Sequence, residues 1–235
     1  MEMKRRVGIA LGLISVGLLV AVFLLSDFSM GMYRKYNALR MDPLGLGLKE
    51  EVTEGDYDFL LLGDSLIARW RIPGYAVLNK GIGAQTSSQV KYRVKLLQDK
   101  PIHAKTAIIC VGGNDLKSLR LDPDLSDAVV ETTLLNIEDI VAGVKSISDE
   151  IYLMTIPPIY TVPFYMKPLQ STHITLASLE AINDGIIQMA EDEGIHVLDA
   201  ERILQGMAVE EVLAKDKVHL SDKAYEKLFE EVSGD

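Results

Sequence analysis

A chain of 235 residues with a formal net charge of −10 suits one domain of ordinary size plus an appendage. That acidic balance argues against a nucleic-acid binder, which needs lysine and arginine to displace counterions. One cysteine, Cys110, excludes an internal disulfide, and no Cys/His cluster has zinc-ligand spacing, so no metal is expected.

Val7–Leu25 carries no charge and follows Lys4, Arg5 and Arg6. As a helix it spans about 28 Å, close to the roughly 30 Å hydrocarbon thickness of a bilayer. A cleaved signal peptide is the competing reading, but its apolar region is shorter and ends in small residues of the A-x-A kind. Leu24-Leu25-Ser26-Asp27-Phe28-Ser29 supplies no such site. The expectation is a cytoplasmic tail over 1–6 and an uncleaved transmembrane anchor over 7–25. The Lys4-Arg5-Arg6 cluster favours a cytoplasmic N-terminus and an exported remainder, while Arg34, Lys35 and Arg40 pull the other way. Residues 26–55 mix charges with Gly31, Gly45, Gly47 and Pro43, and read as a membrane-proximal stalk, helical in part near Met32–Leu39.

From Asp56 the pattern changes to short apolar runs alternating with amphipathic stretches, giving a domain over 56–235. The expected strands are Tyr57–Leu62, Ala76–Asn79, Thr106–Val111, Ile151–Thr155 and Ile195–Leu198. Val90, Val94 and Leu97 share one helical face; Leu134, Ile137, Val141 and Val144 share a second; Leu179, Ile182, Ile186 and Met189 share a third. Such alternation implies βαβ units and a three-layer α/β/α domain on a central, parallel, five-stranded sheet. Sites in such folds gather at the carboxyl ends of the strands. Cys110, inside the third apolar run, reads as a buried inert thiol.

Four polar stretches fall where that rule puts a site. Gly63-Asp64-Ser65 ends the first strand, and Leu66-Ile67-Ala68-Arg69-Trp70 has helical character. A serine at a strand-to-helix turn exposes its hydroxyl, and its own N–H is an orphan donor at a helix start. The same residues also read as an Asp-Ser helix cap in an ordinary loop. Asn79-Lys80-Gly81-Ile82-Gly83-Ala84-Gln85-Thr86 follows the second strand, and its two glycines let backbone N–H groups approach a ligand. No Gly-Lys-Ser/Thr follows, which argues against a phosphate loop. Gly112-Gly113-Asn114-Asp115 follows the third strand; alone it is an ordinary turn, with Asp115 capping the helix after it. Asp216-Lys217-Val218-His219-Leu220-Ser221 precedes an amphipathic stretch (Ala224, Leu228, Val232) that Ser221 would cap. A three-residue step in that loop lets Asp216 hold one imidazole nitrogen of His219 while the other faces outward as a base. His103, His173 and His196 lack a carboxylate at comparable spacing and read as ordinary histidines.

Together, in this order, the four stretches resemble the sequence blocks of the SGNH (GDSL-type) hydrolase superfamily over residues 57–233. The resemblance implies Ser65 as nucleophile and Asp216 and His219 as the other members of a triad. It implies an oxyanion hole formed by the N–H of Ser65, a backbone N–H from Ala84 and the side chain of Asn114. A glycine is common in the family where Ala84 stands; alanine keeps the N–H and is costly only at positive φ, and Gly83 is the alternative donor. Gly83 and Gly113 would line the site. Ile156–Tyr165 carries three prolines and three aromatics, of which Tyr160 and Phe164 would wall a substrate.

The implied activity is hydrolysis of acyl esters, acetyl above all, through an acyl-enzyme and without a cofactor, on cell-envelope carbohydrate. Lysophospholipase or thioesterase action, and acyl transfer to a sugar, use the same residues. A non-catalytic envelope protein keeping the fold for binding or assembly is a reading of a different class, against which the intact set Ser65, Asn114, Asp216 and His219 argues.

Overall fold

The computed structural model describes residues 2–41, 43, 54–120, 122–158 and 173–234. The chain divides into two compact units, Met1–Leu48 and Lys49–Asp235. The described part of the first is a helix, α1 (Glu2–Met41). Over Val7–Leu25 it is apolar all round: Ile9, Leu11, Leu13, Ile14, Leu18 and Phe23 are all exposed. Its stretch Glu2–Ala38 is long and apolar enough to cross a membrane, and a signal sequence meets the same description. The helix runs on through the first part of the expected stalk instead of stopping near residue 25. Met, Leu, Arg and Lys there are good helix formers, Gly31 is one weak point, and the first proline is Pro43, so extending a formed helix is cheap.

The second unit holds a five-stranded sheet in the order β2-β1-β3-β4-β5. Its strands are β1 (Gly55–Gly63), β2 (Val77–Gly81), β3 (Ile102–Cys110), β4 (Ser148–Met154) and β5 (His196–Leu198). Every pairing is parallel. All five expected strands are present, and the three-layer arrangement is as expected. β3 starts four residues before the expected Thr106, because its first part alternates buried Ile102 and Ala104 with exposed His103 and Lys105. That is a half-solvated strand end, not an apolar run.

The pleat sorts the core into two clusters. Leu60 and Leu62 of β1, with Ala107 and Ile109 of β3, pack under α3 (Ser87–Gln98), α4 (Ser126–Val144) and α5 (His173–Glu193). Phe59, Leu61, Ile108 and Cys110 face the opposite way, against α2 (Ser65–Arg69), α6 (Ala200–Leu204), α7 (Val209–Val212) and α8 (Asp222–Ser233). The three helical faces read from the sequence supply Val90, Val94, Leu97, Ile137, Val141, Val144, Leu179, Ile182 and Ile186 to the first cluster. Burying each such aliphatic side chain is worth about 1.5–3 kcal/mol. Two glycines at the sheet's carboxyl edge are required by close packing. A Cβ on Gly63 would meet the Cys110 carbonyl, and one on Gly81 the Ala68 backbone. The first lets β1 and β3 approach closely at their ends, and the second seats α2 tightly against the sheet. Gly81 therefore serves packing between elements.

Candidate active site

β1 ends at Gly63, and the chain turns at once into the one-turn helix α2, whose first residue is Ser65. Asp64 caps this helix: its carboxylate accepts from the Leu66 N–H at 2.9 Å. As the first helical residue, Ser65 has an N–H without an intrahelical acceptor. Asn79 closes the other end of α2, its Nδ2 donating to the carbonyls of Ile67 (2.8 Å) and Trp70 (3.1 Å). Tyr225 of α8 donates its hydroxyl proton to the Leu66 carbonyl at 2.7 Å.

The Asp216–His219 loop joins α7 to α8. An antiparallel bridge between Leu213 and Leu220 pinches its base, and the Ala214 N–H donates to the His219 carbonyl at 2.8 Å. Ser221 caps α8 as expected, accepting from the Ala224 N–H at 3.1 Å. Inside the loop, Asp216 Oδ1 accepts the N–H groups of Val218 and His219, each at 3.0 Å. Asp216 Oδ2 lies 2.8 Å from His219 Nδ1, and His219 Nε2 lies 3.0 Å from Ser65 Oγ. Residues 154 positions apart in sequence thus form one hydrogen-bonded chain, Ser65–His219–Asp216. Burial alone would raise the Asp216 pKa. The His219 and Val218 amides, the His219 ring and the Arg69 guanidinium outweigh it and hold the carboxyl well below the usual carboxylate range.

The other expected residues are placed as follows. Asn114, in the turn after β3, spends both Nδ2 hydrogens, on Asp64 Oδ2 and on the Gln85 carbonyl, each at 2.9 Å. Its Oδ1 accepts from Lys117 Nζ at 2.5 Å. Ala84 lies in the turn after β2 with φ +65°, the left-handed region in which alanine is strained. A Cβ on Gly83 would lie 3.8 Å from Ser65 Cβ, so Gly83 borders Ser65 with room for a side chain. A Cβ on Gly113 would meet Ile156 at 3.4 Å. Tyr160 and Phe164 lie outside the described residues. An open groove of about 830 Å³ between α5 and α6, lined in part by Thr155, Asn183, Asp199 and Met207, includes neither Ser65 nor His219.

Two carboxylates behind the site are buried. Burial pushes Asp64 up to about 6, against the Leu66 N–H and the charges of Lys117 and His219. Asp115 is also raised by burial, against its bonds from Ser87. Asp115 does not cap the short helix after it. Its carboxylate takes the Ser87 N–H (2.9 Å) and hydroxyl (2.6 Å), capping α3 across 28 residues, and Asn136 completes the cluster by donating to Ser87 Oγ at 3.0 Å. Buried Arg93 of α3 donates to the carbonyls of Lys80 (2.6 Å) and Gly63 (3.2 Å), tying together the strand ends that lead to Ala84 and Ser65. Burial of that cation lowers its pKa to about 10. The sequence reading missed Arg69, Arg93 and Lys117. Arg69 alone carried a local signal, standing four residues after Ser65 on a predicted helix. Among the described residues no group of three or more His, Cys, Asp or Glu is placed to hold a metal ion.

Residues 58–227 match the GDSL-like Lipase/Acylhydrolase family. The chain belongs to this family. Membership makes it a hydrolase of ester bonds. Axe2, an acetylxylan esterase from Geobacillus stearothermophilus, superposes with a TM-score of 0.54 at 18% identity, over 79% of this chain and 97% of its own. Est24, a carbohydrate acetylesterase from Sinorhizobium meliloti, gives 0.54 at 15%, over 75% and 96%. A Streptococcus pneumonia protein named for platelet activating factor gives 0.61 at 17%, over 92% and 97%. At these identities the likeness is one of fold. No curated protein gives a sequence match.

Proposed function

We propose that this GDSL-type hydrolase is a serine esterase that removes acetyl groups from cell-envelope carbohydrate by way of an acyl-enzyme. The observation that carries the reading is the continuous chain from Ser65 Oγ through His219 to Asp216, set at the carboxyl edge of the sheet. His219 Nε2 takes the Ser65 proton as Oγ attacks the ester carbonyl, and Asp216 holds the imidazolium that forms. The N–H groups of Ser65 and Ala84 receive the developing oxyanion. Asn114 joins them by giving up one of its present acceptors, the Gln85 carbonyl. Collapse of the tetrahedral species breaks the ester C–O bond, and His219 returns the proton to the leaving alcohol. Water, deprotonated by His219, then attacks the acyl-serine and releases the acid, restoring the Ser65 hydroxyl. The acetylesterases that share the fold support the choice of acyl group and of a glycan carrier.

In this reading α1 is an uncleaved anchor with its N-terminus in the cytoplasm, and the hydrolase domain lies outside. The same helix favours a second reading, a lipid ester reached at the membrane surface. The test is ester hydrolysis by the full-length protein in detergent, beside its Ser65→Ala variant, with p-nitrophenyl acetate and a long-chain p-nitrophenyl ester. Fast acetate release, abolished in the variant, is the expected result. Preference for the long chain moves the reading to lipid. Equal, negligible rates from both proteins with the fold intact overturn simple hydrolysis.

A further inference from the structure

Arg69 lies outside the four family-like stretches, yet it touches the triad directly. Its Nη1 donates to Asp216 Oδ2 at 2.7 Å, the same oxygen that faces His219 Nδ1 at 2.8 Å. Arg69 is the last residue of the helix that Ser65 begins, so the two side chains stand one turn apart on a single short element. The contacts therefore close into a ring: Ser65 to His219, His219 to Asp216, Asp216 to Arg69, and back to Ser65 through one turn of helix. An ion pair this exposed, 48% at Arg69 and 37% at Asp216, adds little to folding stability. Its consequence is geometric. The Asp216–His219 loop is fixed internally by its own amides and its base bridge, but those bonds do not set its position relative to the nucleophile. Arg69 does.

We infer that Arg69 is a positioning residue of the Ser65–His219–Asp216 relay, clamping its carboxylate to the helix that carries the nucleophile. The inference rests on the esterase reading above. The clamp has an electrostatic side as well: a fixed cation on Asp216 Oδ2 offsets the charge of the carboxylate that faces the imidazole. The charged or titratable groups around the relay are Asp216 on its own loop, with Lys215 and Lys217 beside it in sequence, Asp64 and Arg69 on either end of α2, Tyr225 on α8 and buried Cys110 on β3. Lys117 and Asp115 lie behind Asp64. Tyr225 stays neutral, because burial pushes its phenol up.

The test follows Ser65 itself, independent of substrate choice. Full-length wild type, Arg69→Met, Arg69→Gln and Arg69→Lys, solubilised in detergent, are reacted with a fluorophosphonate probe between about pH 5 and 9, with Ser65→Ala as the unlabelled control. Near-UV circular dichroism identifies any variant that misfolds, and the remaining neutral variant then decides. The neutral variants are expected to label roughly 10-fold more slowly, with the acid limb of the rate profile moved to higher pH. Arg69→Lys is expected to return that limb towards wild type and to recover part of the rate. Wild-type rate and profile in a folded neutral variant overturn the inference while leaving the esterase reading intact. So does an equal slowing in all three variants with an unmoved limb, which is the mark of a merely structural residue. A wild type that does not label at Ser65 overturns the esterase reading, and the clamp with it.

Discussion

Ala84 holds φ +65° without the freedom of glycine, at the position proposed to donate to the oxyanion. Left-handed alanine costs about 1–2 kcal/mol, and part of the gain from Ala84→Gly is returned as unfolded-chain entropy. The variant is expected to gain roughly 0.5–1 kcal/mol, a rise in Tm of about 1–4 °C by calorimetry. If the strain holds the donor in place, kcat falls as Tm rises. Asn114→Ala is expected to lower kcat about 100- to 1,000-fold with secondary structure retained, checked by steady-state kinetics beside circular dichroism; near-full turnover would remove it from the oxyanion hole. Asp64 gives a pH signature. Its folded pKa of about 6 stands above the ordinary aspartate value of 3.8, so its contribution to stability is complete below 3.8 and is lost as pH rises through about 6. The difference corresponds to about 3 kcal/mol. Urea titrations should show Asp64→Asn with a flatter dependence of stability on pH across that window. At this scale the sequence displayed the three members of the hydrogen-bonded chain Ser65–His219–Asp216, because they lie inside short local motifs. It could not display that both Asn114 hydrogens are already engaged, since Gln85 and Asp64 meet Asn114 only through tertiary folding.

The helices and strands were legible wherever one face is apolar. The expected strands and the three helical faces rest on periodicity alone, and each packs as its pattern implied. What escaped was pairing between elements. Asp115 looked like a local cap and instead caps α3 through Ser87, a partner that sequence distance hides. Asp115→Ala leaves the Ser87 N–H and hydroxyl without that acceptor, at a cost of about 1–3 kcal/mol. Chemical denaturation should show this loss, and hydrogen exchange should place it at the start of α3. Gly81 is a similar case, its need for a missing Cβ set by the Ala68 backbone of another element. The extent of α1 also escaped, because residues 26–41 lack the continuous apolarity that marks the preceding stretch, though they have ample helix propensity.

For the molecule as a whole, the division into two compact units makes the membrane question separable from the chemical one. If α1 is an anchor, intact-mass measurement of the protein recovered from membranes will show the N-terminal segment still attached, and alkali washing will not release it. Cleavage near residue 25 would identify a signal sequence. The ring of contacts at the active site has a further consequence, in time. Ser65 is synthesised 154 residues before His219, and the base reaches the serine only when the pinched loop closes against α2. A nascent chain can therefore carry the Ser65 hydroxyl and still lack its partner. Chains truncated by a premature stop anywhere before the loop lack it as well, so under the proposed mechanism an incomplete product carries no stray hydrolytic activity. The order of the residues along the chain thus acts as a timer on the contact between Ser65 and His219.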